Sequence, residues 1–310
     1  MDLVLSFLDS RPPESLEAAT LPNRAGTAVQ TIHDRATLKD ALKGLRARGE
    51  TVALVPTMGA LHDGHLALVA EAKRRADHVV VSIFINPRQF GPNEDFEAYP
   101  RRADADAAKL EAAGVDLLWM PSVDEVYPEG FATHIRIADL PDQLCGAARP
   151  GHFDGVAIVV AKLLNQVRPD LALFGEKDWQ QLAIIRRLVA DLDMDIDIVG
   201  FPTQREEDGL ALSSRNAYLT PEERIAAVAL PRALGTAAKA IEAGQPIDAV
   251  LRKIGPALEK AGFASVDYVA LVDAVTLAPL LHLDRPARIV AAAQIGKARL
   301  IDNLAVTPQN

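Results

Sequence analysis

Apolar and polar positions alternate along this chain in two textures. From Thr31 onward "ATLKDALKGLRARG" has helical spacing and ends at Gly49, and "TVALVP" follows as a short apolar strand. "LALVAEAKRRAD" reads as an amphipathic helix, and "HVVVSIFIN" as a nearly continuous apolar strand of the kind buried on both faces of a parallel sheet. The same alternation predicts a helix in "DADAAKLEAAG", a strand in "VDLLWMP", and a helix in "FDGVAIVVAKLLNQVRP" that stops before Pro169. A strand in "DLALFG", a helix in "WQQLAIIRRLVADL" and a strand in "DIDIVGFP" complete the series. Strand and helix alternating to about residue 202 is the pattern of βαβ units, so the fold class is α/β with a Rossmann-like parallel sheet over residues 28–202.

Past residue 203 the texture changes. Two alanine-rich helices, roughly 221–242 and 247–261, precede the strands "VDYVALVD" and "ARIVAAAQI". Residues 203–310 therefore read as a smaller α+β C-terminal domain with an antiparallel sheet. Residues 1–27 carry Pro, Ser, Thr and Gly without a period and read as a flexible extension. No internal repeat or low-complexity tract is visible.

Composition narrows the function. A net charge of −9 argues against a nucleic-acid partner, whose affinity would come from basic residues neutralising phosphates. An anionic small molecule would need a local cluster of cations and backbone N–H groups. No stretch reaches the length of about 20 apolar residues that spans a membrane, and the N-terminus lacks the basic region of a signal peptide, so a cytoplasmic protein is expected. The single cysteine, Cys145, allows no internal disulfide and reads as a buried thiol.

The first candidate chemistry lies in "TVALVPTMGALHDGHLALV", where His62 and His65 flank Gly64 as a strand hands over to a helix. Three readings fit. Two histidines three apart can share a metal, but no Cys, His or Glu cluster supplies the further ligands that zinc needs. They can be loop histidines bonded locally. They can also bind phosphate, because a helix start offers unpaired N–H groups and partial positive charge, and Gly64 permits close approach. Other motifs favour the third. "LFGEKDWQQL" repeats the strand, glycine, polar loop and helix layout, with Lys177 as a point charge. Its Asp178 and Gln181 have capping-box spacing. "GLALSSRNAYLTPEER" holds Ser213, Ser214 and Arg215 on a loop, while Thr220, Pro221 and Glu223 announce the next helix separately. Asn86 and Gln89 follow a buried strand, and Arg149 and His152 precede a helix. "DLDMDID" is not a calcium loop, since the turn glycine and closing Glu are missing. Asp104 and Asp106 read as exposed helix acids. The whole reads as a site that holds a nucleoside triphosphate and positions a second substrate for attack on phosphorus.

Five blocks, "PTMGALHDGH", "SIFINPRQFGPNEDF", "CGAARPGHFDGV", "FGEKDWQQL" and "DGLALSSRNAYL", occur in that order and closely resemble the pantoate–β-alanine ligase family of the H-x-G-H nucleotidylyltransferase superfamily. The likeness runs from about Thr31 to Asn303, where "ARLIDN" matches the family's ending. The resemblance implies ATP-dependent condensation of pantoate with β-alanine through a pantoyl adenylate, a step of pantothenate and coenzyme A biosynthesis. It implies Mg2+ accompanying ATP, a homodimer, and a C-terminal domain acting as a lid. It implies that His62, His65, Lys177 and Arg215 are catalytic. It places Pro56, Thr57, Met58, Gly64, Gly175, Asp178, Ser213 and Ser214 at ATP, and Gln89, Gln181, Met58 and Phe90 at pantoate. Asn86, Arg149 and His152 match further pocket positions, and no metal ligands are assigned. Arg88 departs from the pattern, standing where an apolar residue is expected. Three rivals share the H-x-G-H loop: an adenylyltransferase acting on a phosphate ester, which calls for a more basic pocket; a nucleotide-binding module without turnover; and a tRNA synthetase, against which a short, acidic chain with no evident RNA-binding appendage argues.

Overall fold

The computed structural model describes residues 29–308 except Asn93 and Asp95, so the expected extension 1–27 lies outside the described residues. The chain opens with β1 (Gln30–Ile32), α1 (Arg35–Ala47), β2 (Val52–Thr57), α2 (Asp63–Arg75), β3 (His78–Ile83), α3 (Ala103–Ala112) and β4 (Leu117–Trp119). Two short helical segments, α4 (Val123–Val126) and α5 (Cys145–Ala148), lead to α6 (His152–Val167), β5 (Leu171–Gly175), α7 (Trp179–Asp191) and β6 (Asp197–Phe201). The C-terminal part comprises α8 (Pro221–Ala227), α9 (Ala229–Glu242), α10 (Ile247–Leu251), α11 (Ile254–Ala261), β7 (Ser265–Asp273), β8 (Ala287–Ile295) and β9 (Ala298–Val306).

The first six strands form one parallel sheet in the order β1-β4-β3-β2-β5-β6. Its central strands are mostly apolar because both faces are covered; all six residues of β3 are buried, His78 and Ser82 included. Leu38 and Leu42 of α1 pack with α6 and with Ile184, Ile185 and Leu188 of α7 in one core. Leu68, Val69 and Ala72 of α2 pack with Leu110 of α3 in another. The helices that follow β2 and β5 therefore leave on opposite faces, although the two strands are neighbours. Such a switch point opens a crevice at the carboxyl ends of the strands, where ligands of open α/β sheets bind.

The last three strands form an antiparallel sheet, β7-β8-β9, covered by α9 and α11. The fold class read from the sequence is thus observed: a Rossmann-like sheet with a smaller α+β unit. Each predicted alanine-rich helix is broken in two, at Val228 and at Arg252–Lys253. Proline explains both breaks. Pro231 cannot donate to the carbonyl of Ala227, nor Pro256 to that of Arg252.

The two sheets touch through Trp179, which starts α7 and packs with Val272, Leu277 and Val290. Its indole Nε1–H donates to the Ala274 carbonyl at 2.9 Å, and the Arg288 guanidinium lies 3.6 Å from the ring centroid. Cys145 is buried at the same seam, its Sγ 3.0 Å from the Tyr268 hydroxyl. Burial pushes its thiol pKa up, and the charge of Asp178 adds to the effect.

Candidate active site

The loop after β2 delivers His62 to the N-cap of α2. His62 Nδ1 accepts from the Gly64 N–H at 3.2 Å, and the His62 N–H donates to His65 Nδ1 at 3.3 Å. The two imidazoles thus play the parts that Ser and Glu play in an ordinary capping box. A ring nitrogen that accepts carries no proton, so both neutral rings hold their proton on Nε2 and can donate there. Burial drives the His62 pKa down to about 4, helped by the nearby Lys177 charge. Burial, then His62 and Lys177, drives that of His65 down to about 3. At neutral pH the pair supplies two N–H donors and no cation. Gly64 is needed for a local reason: a Cβ there would lie 2.9 Å from Cε1 of the His62 ring.

The loop itself is held from α3. The Asp106 carboxylate, 1% exposed, accepts from the Ala60 N–H at 2.7 Å and the Leu61 N–H at 2.8 Å. Lys109, one turn on, donates from Nζ to the Leu61 carbonyl at 2.5 Å. Gly59 and Ala60 both have positive φ, 83° and 52°, and this sharp turn exposes the two N–H groups to the carboxylate. The expectation that Asp106 is an exposed helix acid is therefore corrected. It is a buried carboxyl group whose burial cost is offset by two backbone donors. Asp104, by contrast, is exposed.

The loop after β5 carries Lys177 and Asp178 on a turn of 3-10 helix, Glu176–Asp178. Burial lowers the Lys177 pKa to about 8, while the Asp302 and Asp178 carboxylates oppose the shift. The expected capping box of Asp178 and Gln181 is not formed: the Asp178 side chain makes no cap bond at the start of α7. The preceding 3-10 turn holds Asp178 at φ −99° and ψ 68°, away from the extended conformation of an N-cap, and its carboxylate lines the cavity instead. Ser213, Ser214 and Arg215 arrive on a loop whose own helix, α8, is capped by Thr220 and Glu223 as expected. Ser213 Oγ accepts from the Arg215 N–H at 3.2 Å.

These pieces meet in one cavity of about 280 Å³. Pro56, Thr57, Met58, His62, Gly64 and His65 line it from the first loop, Gly175, Lys177, Asp178 and Gln181 from the second, and Ser213, Ser214 and Arg215 from the third. Gln89 enters from the loop after β3, its Nε2 2.9 Å from Met58 Sδ. Tyr99, which no sequence motif marks, also lines the cavity, with its hydroxyl 3.4 Å from Ser214 Oγ. The apolar wall includes Phe84, Val156, Val159 and Val160.

Four other candidates stand behind this wall. Asn86, 1% exposed, donates to Gln89 Oε1 at 3.1 Å and to the Gly155 carbonyl at 2.9 Å, and accepts from the Tyr127 hydroxyl at 2.9 Å. Phe90 packs edge-on against Phe96 and Tyr99. Arg149 pairs with Glu94 at 2.7 Å, and its Nη1 lies 2.9 Å from His152 Nε2. His152 Nδ1 contacts the Gln89 carbonyl at 2.7 Å. These residues fasten the 86–94 loop to the start of α6. Arg88 is exposed, its guanidinium 5.0 Å from the ring centroids of both Tyr127 and Phe131.

Fold and site together define an α/β protein of the H-x-G-H type, with a cavity of polar loops and an apolar wall at the sheet's switch point. Comparison with known proteins narrows this class. The family model described as Pantoate-beta-alanine ligase matches residues 30–305. The chain is 62% identical over 278 residues to the pantothenate synthetase of Sphingopyxis alaskensis, covering 90% of this chain and all of the relative. It is 60% identical over 280 residues to that of Rhizorhabdus wittichii, covering 90% of this chain and 99% of the relative. The solved pantothenate synthetase from Thermus thermophilus superposes with a TM-score of 0.84 at 49% identity, over 90% of this chain and 100% of that one. The pantoate-beta-alanine ligase from Francisella tularensis, solved with "Beta-gamma ATP and Beta-alanine", superposes with a TM-score of 0.76 at 35% identity, over 89% and 97%. The chain belongs to the pantoate–β-alanine ligase family, whose members join pantoate to β-alanine.

Proposed function

We propose that the cavity carries out the family's ligation in two steps. A carboxylate oxygen of pantoate attacks the α-phosphorus of ATP; that O–P bond forms as the bond to pyrophosphate breaks. The β-alanine nitrogen then attacks the acyl carbon of the pantoyl adenylate, loses a proton, and AMP leaves with the C–O electron pair. Neither step needs a covalent nucleophile from the protein. What the reaction needs is positioning, charge neutralisation at phosphorus, and exclusion of water from an acyl adenylate.

The observation that carries this reading is the convergence of three loops, distant in sequence, on one cavity. The Nε2–H groups of His62 and His65 donate to phosphate oxygens as neutral groups, strengthening their bonds as charge develops. Lys177 and Arg215 neutralise phosphate charge, with Ser213 and Ser214 as hydroxyl donors. Pro56, Thr57, Met58, Gly64, Gly175 and Asp178 contact the nucleotide, Asp178 near the ribose. Gln89 and Gln181 hold the hydroxyl and carboxylate groups of pantoate, against Met58 and the apolar wall. Phe90, Asn86, Arg149 and His152 act on this pocket from behind, by fixing the loop that carries Gln89.

Magnesium fits this site as a passenger on the triphosphate. Asp178 is the one carboxylate among the described residues lining the cavity, and Mg2+ commonly takes one or two carboxylates together with phosphate oxygens and waters. When bound there it would neutralise phosphate charge. The proposal extends to residues 203–310 acting as the lid, to a homodimer and to the cytoplasm; size-exclusion chromatography tests the dimer.

The deciding experiment is ATP–pyrophosphate exchange with pantoate present and β-alanine absent, followed by AMP release on adding β-alanine. Pantoate-dependent exchange and amine-dependent AMP establish the two steps. ATP binding without pantoate-dependent exchange would assign a different acceptor.

A further inference from the structure

Two adjacent residues of β9 lie outside the cavity lining yet contact the supports of two of its loops. Asn303 Nδ2 donates to the carbonyls of Glu176 at 2.8 Å and Lys177 at 2.9 Å. Its Oδ1 accepts from Arg288 Nη1 at 3.0 Å, which fixes which end of the amide faces the Lys177 turn. Arg288 in turn pairs with the Glu176 carboxylate at 2.9 Å. The neighbouring Asp302 accepts two bonds from Arg205, both at 2.8 Å. Arg205 also donates to the Gly209 carbonyl at 3.0 Å and bridges to Ala211, so it closes the base of the hairpin leading into Ser213, Ser214 and Arg215. Asp302 and Asn303 are each 3% exposed, a depth at which polar groups are ordinarily hydrogen-bonded.

We infer that Asp302 and Asn303 are positioning residues of the reaction, a two-residue clasp that sets the distance between the Lys177 turn and the Ser213–Arg215 loop. The Lys177 turn is rooted in the parallel sheet and the other loop leads into the C-terminal domain, so neither loop alone fixes their spacing. The clasp does, because β9 holds one with a carboxamide and the other with a carboxylate. It also gives the C-terminal domain a direct hold on adenylation. The groups charged around Lys177 are Asp302 on β9, Asp178 on its own turn, and Arg205 and Arg215 on the 202–215 segment; His62 and His65 face it as neutral rings.

This inference rests on the proposed reaction and is tested with the same assay on the full chain. Asn303→Ala is expected to lower the maximal rate of pantoate-dependent ATP–pyrophosphate exchange by about 10- to 100-fold, the scale set by an ångström-level misplacement, while the KM for pantoate stays within about 2-fold. Asp302→Asn removes the carboxylate nearest in effect to Lys177, and the alkaline limb of the exchange rate moves to lower pH. Asp267→Asn breaks the Arg299–Asp267 pair of 2.7 Å elsewhere on the same sheet and leaves exchange unchanged. A folded Asn303→Ala enzyme exchanging at the wild-type rate would overturn the clasp, and so would an equal loss from Asp267→Asn. Should Asn303→Ala not fold, Asn303→Leu is read the same way, since it keeps the branched shape and loses the donor without adding a charge. Wild-type exchange that ignores pantoate refutes the reaction itself, whereas the ratio of variant to wild type judges only the clasp.

Discussion

His62 and His65 lie one turn apart with ring centroids 4.1 Å from each other and planes tilted by 39°, and each commits Nδ1 to a backbone N–H. The pair is thereby locked as two neutral Nε2–H donors. Both pKa values lie well below the ordinary 6.5, at about 4 and about 3. Exchange activity is therefore expected to show no histidine titration between pH 5 and 7. For stability the sign follows from linkage. The unfolded chain takes up protons on these rings below its own pKa of about 6.5, while the folded chain does not. Stability falls as pH drops from about 6.5 toward 4, and His65→Gln flattens that part of a melting-temperature profile. A histidine-like inflection near pH 6.5 in wild-type exchange, absent from the variant, contradicts the assignment.

Lys177 is shifted in the same direction, but its titration falls in the alkaline range. Burial brings its pKa to about 8, so the free enzyme loses this positive charge as pH rises through that value. The free-enzyme exchange profile should decline on the alkaline side near pH 8. Lys177→Ala should remove about 3 kcal/mol or more of transition-state stabilisation, by analogy with losing one preorganised donor. Near-normal turnover in that variant rules out the assigned role.

Asp106→Asn tests the support of the histidine loop. The carboxamide retains one acceptor oxygen for two N–H groups, leaving a buried donor unpaired at a cost of about 1–3 kcal/mol. A lower melting temperature together with slower exchange is expected. Calorimetry on a variant as stable as wild type shows that the two short bonds carry no weight.

Gly155 lies against the turn that carries Gln89: a Cβ there would sit 2.1 Å from the Arg88 carbonyl oxygen. Backbone cannot yield as a flexible side chain does. Gly155→Ala is expected to cost about 1–3 kcal/mol through overpacking and to raise the KM for pantoate by displacing Gln89. Unchanged pantoate KM separates Gln89 from substrate binding.

Arg88→Met probes the departure from the family pattern. The guanidinium rests on two rings outside the cavity, so its loss should cost about 0.5–1 kcal/mol of stability and leave the exchange rate intact. A changed β-alanine KM in this variant would place Arg88 on the amine's path.

What is legible in the sequence, and what is hidden, follows from the range of the interactions. The β2 strand, the H-x-G-H turn and α2 are encoded in about twenty consecutive residues, so apolar spacing and turn chemistry reveal them. Asp106 sits in "ADADAA", where alternating acids look solvated; only the fold carries it to the amides of Ala60 and Leu61. Strand β9 reads as a terminal motif, because Asp302 and Asn303 interrupt its apolar pattern where it meets the Lys177 turn. Tyr99 lies in a loop with no period, and its approach to Ser214 depends on residues 115 positions apart. The Asp178 capping box is absent for a local reason: spacing alone does not report the 3-10 turn that takes Asp178 out of the extended N-cap conformation.

The single cysteine, sealed at the seam between the two sheets with its thiol held protonated, has a practical consequence. A cysteine introduced on the exposed tip of the hairpin before Ser213, at Glu207, would be the one readily reactive thiol. A fluorophore or spin label attached there would report the movement of that loop during adenylation, with no background from the native chain and no need to build a cysteine-free version first.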